Sequence, residues 1–379
     1  MQYRQFGDTD YEVSALGFGA MRLPTKGEND EIDEDEAIKM IRYSIDEGVN
    51  YVDTAWPYHG GESEKVVGKA LEDGYREKTK IASKFPSWEL EEPSDLDYYL
   101  NKQLEKLGVD KIDFYLLHAL NEDHWGNYKE IGLENVFSWV EKVKEEGKIG
   151  NIGFSFHDDY ELFEEIIDAY DKWDFCQIQY NYLDTEFQAG KRGLKYAANK
   201  DIPVVVMEPL RGGQLAQNPP EEVKEIMEDF EADRTPADWA LQWLWNQPEV
   251  TTVLSGMSTM KQTKENVESA KQSGVGILDD KELEIIDRMA EKFRGPIQCT
   301  KCNYCIPCPN GVEIPKNFEL YNKAKLYDDF EENQENYMDM DEGKRASACV
   351  KCGVCEEACP QNLEIMALMD EVSNYFESK

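Results

Sequence analysis

Along most of the chain, short apolar runs alternate with longer segments whose apolar residues recur every three or four positions. The short runs are typical of buried strands, and the longer segments are typical of amphipathic helices. The predicted strands are Ala15–Met21, Asn50–Ala55, Lys80–Phe85, Asp113–Ala119, Asn151–Phe156, Phe175–Tyr180, Pro203–Met207 and Thr252–Gly256. The predicted helices are Glu34–Glu47, Ser63–Glu72, Asp95–Leu107, Glu134–Glu146, Tyr160–Tyr170, Lys191–Asn199, Pro236–Trp245 and Thr263–Gln272.

This alternation predicts an α/β fold, a (β/α)8 TIM barrel, because each strand is followed by a helix and about 290 residues suit that architecture. A doubly wound open sheet is the alternative. Such a sheet normally carries a Gly-x-Gly-x-x-Gly turn after an early strand. The turn at Gly17-Phe18-Gly19 lacks the third glycine, so the barrel is favoured.

A further helix is predicted at Lys281–Lys292, and Arg294-Gly295-Pro296 is typical of a domain boundary. The residues that follow have little strand pattern, and helices are predicted there at Pro315–Lys325 and Leu363–Phe376. The predicted domains are therefore a barrel over residues 1–293 and a mainly α-helical domain over residues 294–379.

Two cysteine groups distinguish this second predicted domain. Each group has three cysteines at two-residue gaps and then a Cys-Pro pair. The eight cysteines are Cys299, Cys302, Cys305, Cys308, Cys349, Cys352, Cys355 and Cys359. This doubled pattern is typical of two [4Fe-4S] clusters, and it predicts a ferredoxin-like domain that handles single electrons.

The last cysteine of each group usually ligates the other cluster. We therefore expect Cys359 to join the first three cysteines, and Cys308 to join Cys349, Cys352 and Cys355. The first group departs from the bacterial pattern, because two residues rather than three precede Cys308. That departure leaves the pairing of Cys308 open.

Zinc and disulfides are the alternative uses of these thiols. A zinc ribbon needs two thiols per knuckle, so the third thiol and the Cys-Pro would have no role. Disulfides need an oxidising compartment. The chain opens with no charged start, apolar stretch and cleavage site, so we expect a cytoplasmic protein. The ninth cysteine, Cys176, is predicted to be a buried apolar residue.

The formal charge of −37 comes from 78 acidic and 41 basic residues. Such a charge repels nucleic acid, which excludes it as an expected partner. Acidic runs lie between apolar segments, which favours a solvated acidic surface or adaptation to high salt. No apolar run reaches the roughly 18 residues of a membrane span.

Three polar residues lie at the ends of predicted strands and a fourth follows shortly after one, where chemistry is located in a barrel of this kind. They are Asp53, Tyr58, Lys84 and His118. A lysine beside a tyrosine stabilises the phenolate, and an aspartate keeps that lysine charged and oriented. The tyrosine can then donate a proton to a carbonyl oxygen, and the histidine can orient that carbonyl.

The segments Asn50–Tyr58, Ile81–Lys84 and Leu116–His118 resemble the tetrad motifs of the aldo-keto reductase superfamily. The opening Arg4–Gly19 resembles that family's start, which forms a hairpin at the barrel base. The cysteine groups make the whole chain resemble the ferredoxin-fused branch. The resemblance implies hydride transfer between a nicotinamide and a carbonyl, with Tyr58 as the acid and the other three residues supporting it.

The resemblance extends only partly to the cofactor site. Family members have a Ser-Asn pair after the fifth strand, whereas this chain has Ser155 followed by Phe156. Gln177 matches the family's glutamine on the sixth strand. The seventh strand usually ends in a tyrosine that stacks on the nicotinamide, and here it ends in Met207. These departures leave a flavin as an alternative cofactor, since a flavin exchanges both electron pairs and single electrons.

The family usually binds a 2′-phosphate with Lys, Ser and Arg near the eighth strand. Counted back from Glu265 and Asn266, those positions hold Gly256, Met257 and Gln262. No cation stands there to offset a phosphate. We therefore expect NADH to bind at least as well as NADPH.

The sequence predicts an oxidoreductase that couples carbonyl or alcohol chemistry to one-electron transfer through two clusters. Its expected partners are a small carbonyl or alcohol substrate and a protein electron donor or acceptor. Loops such as Pro86–Pro93 and Leu120–Gly132 are expected to select the substrate. The alternative is an electron-transfer or redox-sensing protein whose barrel binds a nucleotide or flavin without turnover.

Overall fold

The computed structural model describes residues 1–27, 31–216, 219–228, 230, 234–293, 295–327 and 329–378. Within these ranges the chain forms twelve strands. They are β1 (Tyr3–Gln5), β2 (Glu12–Ser14), β3 (Leu16–Gly19), β4 (Thr25–Lys26), β5 (Glu31–Ile32), β6 (Tyr51–Asp53), β7 (Lys80–Phe85), β8 (Ile112–Leu120), β9 (Ile149–Phe156), β10 (Phe175–Gln179), β11 (Val204–Met207) and β12 (Val250–Gly256).

Eight of these strands close into a parallel barrel in the order β3, β6, β7, β8, β9, β10, β11, β12 and back to β3. They are the eight strands that the apolar runs predict, and every neighbouring pair is parallel. The predicted TIM barrel is therefore confirmed.

The described ranges also contain fifteen α-helices, none long and apolar enough to span a membrane. They are α1 (Glu34–Asp46), α2 (Ser63–Ala70), α3 (Pro93–Leu107), α4 (Glu122–Glu130), α5 (Leu133–Glu145), α6 (Tyr160–Asp168), α7 (Gly190–Asn199), α8 (Glu221–Glu228), α9 (Pro236–Trp245), α10 (Met260–Lys271), α11 (Asp280–Phe293), α12 (Ile314–Leu326), α13 (Phe330–Met338), α14 (Val354–Glu357) and α15 (Ile365–Glu377).

All the predicted helices are present, but α4, α8, α13 and α14 are not among the predictions. Helix α4 corrects the expectation that Leu120–Gly132 is a loop. Its buried residues are only Trp125 and Tyr128, too few to produce a clear helical period. Its start does carry a local signal, because the side chain of Asn121 caps it by accepting a 2.8 Å hydrogen bond from the backbone N–H of His124.

Helix α3 shows how local residues set the ends of these elements. Pro93 occupies its first turn, where a missing N–H costs nothing. Glu92 and Asp95 form a reciprocal capping box at the same end. The helix stops at Gly108, whose φ of 64° is left-handed and is strongly disfavoured for residues with a Cβ.

Side chains alternate between the two faces of each barrel strand. On β7, Ile81 and Phe85 join the large core between strands and helices, whereas Ala82 belongs to a separate cluster inside the barrel. On β8, Tyr115 and Leu117 join the outer core, and Phe114 and Leu116 join the inner cluster. This alternation directs every second residue at the carboxyl ends of the strands inward.

The amino-terminal hairpin of β1 and β2 is antiparallel, as the resemblance implies. Phe6 and Val13 from this hairpin region pack into the inner cluster with Tyr51, Phe114 and Phe175. The rings of Phe6 and Phe114 have centroids 4.7 Å apart. Apolar side chains therefore fill the amino end of the barrel and leave the polar inward residues at its carboxyl end.

The chain divides into two compact units. The first contains Met1–Leu210 and Ala237–Asp279, and it includes all twelve strands. The second contains Arg211–Pro236 and Asp280–Lys379, with an apolar core that includes Phe318, Tyr337 and Phe376. A domain boundary between residues 293 and 294 stays a prediction.

Candidate functional site

Three barrel strands present polar side chains inward at their carboxyl ends. Asp53 is the last residue of β6, Lys84 is the fifth residue of β7, and His118 lies near the end of β8. Each stands two or four positions after an apolar residue of the inner cluster, so the period of two turns all three inward. Tyr58 begins the short helical turn after β6.

The ammonium group of Lys84 connects these residues. Its Nζ lies 2.6 Å from Asp53 Oδ1 and 3.4 Å from Tyr58 Oη. It also donates a 2.8 Å hydrogen bond to the backbone carbonyl of Thr54. The side chain of Lys84 is fully buried, and Asp53 and Tyr58 are buried as well. The structure thus brings the predicted residues together as a hydrogen-bonded group.

Burial sets the electrostatics of this group. It raises the pKa of Asp53 and lowers the pKa of Lys84, because a charged group loses its hydration there. The 2.6 Å contact opposes both shifts, since each charge stabilises the other. The carboxylate of Asp53 therefore holds Lys84 next to the hydroxyl of Tyr58, in a site that excludes water.

His118 is a neutral imidazole at pH 7. Burial, and then the charge of Lys84, lower its pKa well below the usual value of 6.5. Its ring centroid lies 5.9 Å from that of Tyr58, in an edge-on arrangement. The ring of Trp88, from the predicted pocket loop after β7, lies 5.3 Å from His118 on another side. His118 and Tyr58 are thus adjacent, with Trp88 beside them.

Three of the predicted cofactor residues lie on neighbouring strands. Ser155 Oγ accepts a 2.7 Å hydrogen bond from the backbone N–H of Ala119. Gln177 Nε2 donates to Met207 Sδ at 3.4 Å. Gln177 Oε1 is buried and has no hydrogen-bond partner among the described residues. A buried acceptor without a partner is costly, and it fits the amide N–H₂ of a nicotinamide carboxamide.

The other three predicted cofactor residues lie where β12 meets α10. Asn266 is buried and donates a 3.0 Å hydrogen bond to Ser255 Oγ. Glu265 is exposed, and its Oε1 lies 3.7 Å from Lys261 Nζ. Gly256 ends β12 and lies against the side chain of Arg22. A Cβ built on Gly256 would lie 3.2 Å from the Cβ, Cγ and Cδ atoms of Arg22.

Arg22 is the residue that sequence reasoning missed. It follows β3 by three positions and thus belongs to the same end of the barrel as the tetrad. Its guanidinium lies 3.5 Å from Glu208 Oε1, so a carboxylate offsets its charge. Its place directly after a strand was the available signal, but nothing in the sequence indicates that its side chain reaches Gly256.

Three cysteines of the first group and the last cysteine of the second come together in the second unit. Cys299, Cys302, Cys305 and Cys359 line one cavity, together with Thr300 and apolar residues. Burial raises the pKa of Cys305 to about 12, and the neighbouring Cys299 and Cys359 add to the shift. Four thiols around one cavity fit the ligand set of a cubane cluster, whose iron favours the thiolate form.

The reciprocal set, Cys308 with Cys349, Cys352 and Cys355, stays a prediction. Burial, with smaller contributions from Cys349, Glu356 and Cys308, raises the pKa of Cys355 to about 11. The amide Nδ2 of Asn310 lies 3.8 Å from Cys352 Sγ. In the described ranges no group of three or more His, Cys, Asp or Glu side chains has the geometry for a single metal ion. The fit of iron thus rests on the shared cavity and the cysteine spacing.

Comparisons with known proteins agree with this arrangement. Residues 15–291 match the aldo/keto reductase family, and residues 298–363 match a 4Fe-4S dicluster domain. The chain is 25% identical over 304 residues to the uncharacterized oxidoreductase YqkF of Bacillus subtilis, covering 71% of this chain and 91% of that protein. It is 27% identical to the L-galactose dehydrogenase of Arabidopsis thaliana, covering 78% and 96%.

Solved structures give the same result. The holo form of the aldo-keto reductase AKR11C1 from Bacillus halodurans is 27% identical, with a TM-score of 0.63, covering 76% of this chain and 96% of that one. The family match spans most of the chain and includes all eight barrel strands. The chain is an oxidoreductase that belongs to the aldo/keto reductase family and carries a 4Fe-4S dicluster domain after its barrel.

Proposed function

We propose that this oxidoreductase interconverts a small carbonyl compound and its alcohol at the barrel site, and passes electrons singly through two [4Fe-4S] clusters. The observation that carries the proposal is the contact of buried Lys84 with both Asp53 and Tyr58, beside neutral His118. The nicotinamide supplies the hydride when it is bound. The proposed compartment is the cytoplasm.

Tyr58 is the proposed general acid. As the substrate oxygen gains charge, its hydroxyl donates the proton, and the ammonium of Lys84 at 3.4 Å stabilises the phenolate that remains. Asp53 keeps this ammonium oriented through the 2.6 Å contact. His118 has one N–H in its neutral form, and this N–H can donate a hydrogen bond to the same substrate oxygen.

Ser155, Gln177 and Met207 are proposed to contact the nicotinamide. Gln177 Oε1 accepts from its carboxamide, which satisfies a buried acceptor that otherwise lacks a partner. Met207 packs on the ring in place of an aromatic residue. Gly256, Glu265 and Asn266 are proposed to border the adenosine end, at the junction of β12 and α10.

NADPH is expected to bind no more tightly than NADH. Gly256 and Met257 carry no charge, and the amide of Gln262 accepts a 2.8 Å hydrogen bond from the backbone of Ser258. The charge of Arg22 is offset by Glu208. A 2′-phosphate therefore meets no uncompensated cation among these residues. Titration of both nucleotides measures this, and a tenfold preference for NADPH, about 1.4 kcal/mol, would contradict it.

The eight cysteines are proposed to hold two clusters that exchange electrons with the barrel cofactor and with a protein donor or acceptor. A hydride carries two electrons and one proton. Its two electrons would reduce each of the two clusters by one electron, and the proton would be released. A flavin in the barrel is the alternative cofactor, because it exchanges electrons singly and in pairs. Met207, where the family has tyrosine, favours this alternative.

Anaerobic rapid mixing of the oxidised protein with NADH tests the coupling. We expect the visible absorbance of the clusters to bleach on the timescale of turnover. The Tyr58→Phe variant should bleach at the same rate, since the proton donor to the carbonyl has no role in reducing the clusters. Clusters that stay oxidised during carbonyl reduction would rule out the coupling. Bleaching without any carbonyl or alcohol turnover would instead favour an electron-transfer or redox-sensing protein.

A further inference from the structure

The turn Arg211–Gly213 belongs to the second unit, together with the cysteine groups. Its φ angles are 49° at Arg211, 63° at Gly212 and 92° at Gly213. The left-handed conformation costs free energy for a residue other than glycine, so Arg211 keeps it only because surrounding contacts hold it. Those contacts come from the segment that carries the first cysteine ligand.

Gly212 packs directly on the backbone of Thr300. A Cβ built on Gly212 would lie 2.1 Å from the carbonyl oxygen of Thr300 and 2.9 Å from its carbonyl carbon. No side chain fits there, because real Cβ atoms do not approach backbone atoms closer than 3.0 Å. The carbonyl of Thr300 is therefore held against the face of Gly212.

The same peptide unit contacts a cluster ligand on its other side. The N–H of Lys301 belongs to the plane of the Thr300 carbonyl, and it donates to Cys299 Sγ at 3.4 Å. Thr300 also lines the cavity that Cys299 shares with Cys302, Cys305 and Cys359. A rotation of this peptide plane would thus move a hydrogen-bond donor relative to the sulfur of Cys299.

Arg211 fastens the turn to the residue before Cys299. Its guanidinium is buried, donates to Gln298 Oε1 and donates to Gln214 Oε1 at 2.9 Å. Gln214 in turn donates a 2.6 Å hydrogen bond to the backbone carbonyl of Phe293. Both ends of the segment that leads into Cys299 are therefore bonded to this turn and the residue after it.

We propose that Gly212, with Arg211, is a positioning residue for the first cluster. Gly212 fixes the Thr300–Lys301 peptide so that its N–H bonds the sulfur of Cys299, and this bond raises the reduction potential of the cluster that Cys299 holds. Hydrogen bonds to the sulfurs are among the features that set such potentials, because they stabilise the more negative reduced state. The inference rests on the two clusters of the proposed function.

The test compares Gly212→Ala with Gly213→Ala. Both positions have positive φ, but a Cβ on Gly213 meets nothing within 4 Å. The control thus carries the backbone strain without the clash. Both clusters are titrated by EPR at controlled potential in the full-length holoprotein. We expect one cluster of Gly212→Ala to become at least tenfold harder to reduce, about 59 mV for one electron, and both clusters of Gly213→Ala to match wild type.

Equal potentials in the two variants would overturn the inference. If Gly212→Ala retains about four of eight irons, the selective loss of one cluster supports it. If that variant is isolated without iron, Arg211→Lys decides, since one ammonium replaces a guanidinium that bonds two glutamines. A selective shift of one cluster then supports the inference, and wild-type potentials overturn it. Wild-type protein without iron would instead refute the cluster part of the proposed function.

Discussion

Replacement of Tyr58 by phenylalanine is expected to lower turnover by roughly 10²-fold or more, the size expected for loss of a general acid. The hydroxyl lies 3.4 Å from the ammonium of Lys84, and the rest of the ring packs edge-on against His118. Phenylalanine preserves this packing and removes only the donor. Nucleotide binding should stay nearly unchanged, because the proposed nicotinamide contacts lie on β9, β10 and β11.

Tyr51→Phe is the matched control for this variant. Tyr51 is a fully buried phenol inside the same barrel, and its Oη has no hydrogen-bond partner among the described residues. Replacing Tyr51 by phenylalanine therefore breaks no hydrogen bond among the described residues. Steady-state rates with a carbonyl substrate and nucleotide titrations of both variants complete the comparison. A Tyr58→Phe variant that turns over at the wild-type rate would remove Tyr58 from the mechanism.

Loss of a single cluster cysteine is expected to remove about half of roughly eight irons. The cavity lined by Cys299, Cys302, Cys305 and Cys359 predicts which losses coincide. Combining Cys302→Ser with Cys359→Ser should leave about four irons, because both serve one cluster. Combining Cys302→Ser with Cys308→Ser should leave almost none, because these serve different clusters.

Iron and acid-labile sulfide measured on anaerobic protein decide this prediction. Cys176→Ala is the control. Cys176 is buried in the barrel, so this variant should keep all the iron. The reverse result, with almost no iron in the Cys302→Ser, Cys359→Ser variant and about four irons in the Cys302→Ser, Cys308→Ser variant, would show that each group of four serves its own cluster. Equal iron in the two double variants would contradict the predicted pairing as well. Zinc in place of iron, with no sulfide in the wild type, would overturn the cluster assignment altogether.

Much of the barrel was predictable from the sequence because each strand and helix is marked by residues within its own segment. The eight strands are apolar runs bounded by polar turns, and all eight lie in the closed sheet. The place of Asp53, Lys84 and His118 at the ends of parallel strands also predicted that they would meet. Parallel strands bring their carboxyl ends to one face, and alternation turns these residues inward. Their contact with Tyr58 at the carboxyl end is the geometric result.

Local signals failed where elements are short or where few residues are buried. Helix α13 buries only two residues, so its apolar period is weak. Helix α8 also buries only two residues and is only eight residues long, a short window for a prediction. Helix α14 is four residues long and contains Cys355. Each of these elements is stabilised by contacts with distant segments, which a window of sequence does not contain.

By itself, the sequence determined the strand and helix order, the place of the tetrad residues at the strand ends and the doubled cysteine spacing, because periodicity and short spacings act within one segment. Only the tertiary structure decided that Arg22 lies against Gly256 and that Gly212 supports the Thr300 carbonyl. Residues far apart in the chain meet in each case. Close packing selects such pairs by their complementary shape, because a misplaced atom costs free energy. No single segment of the sequence contains this information.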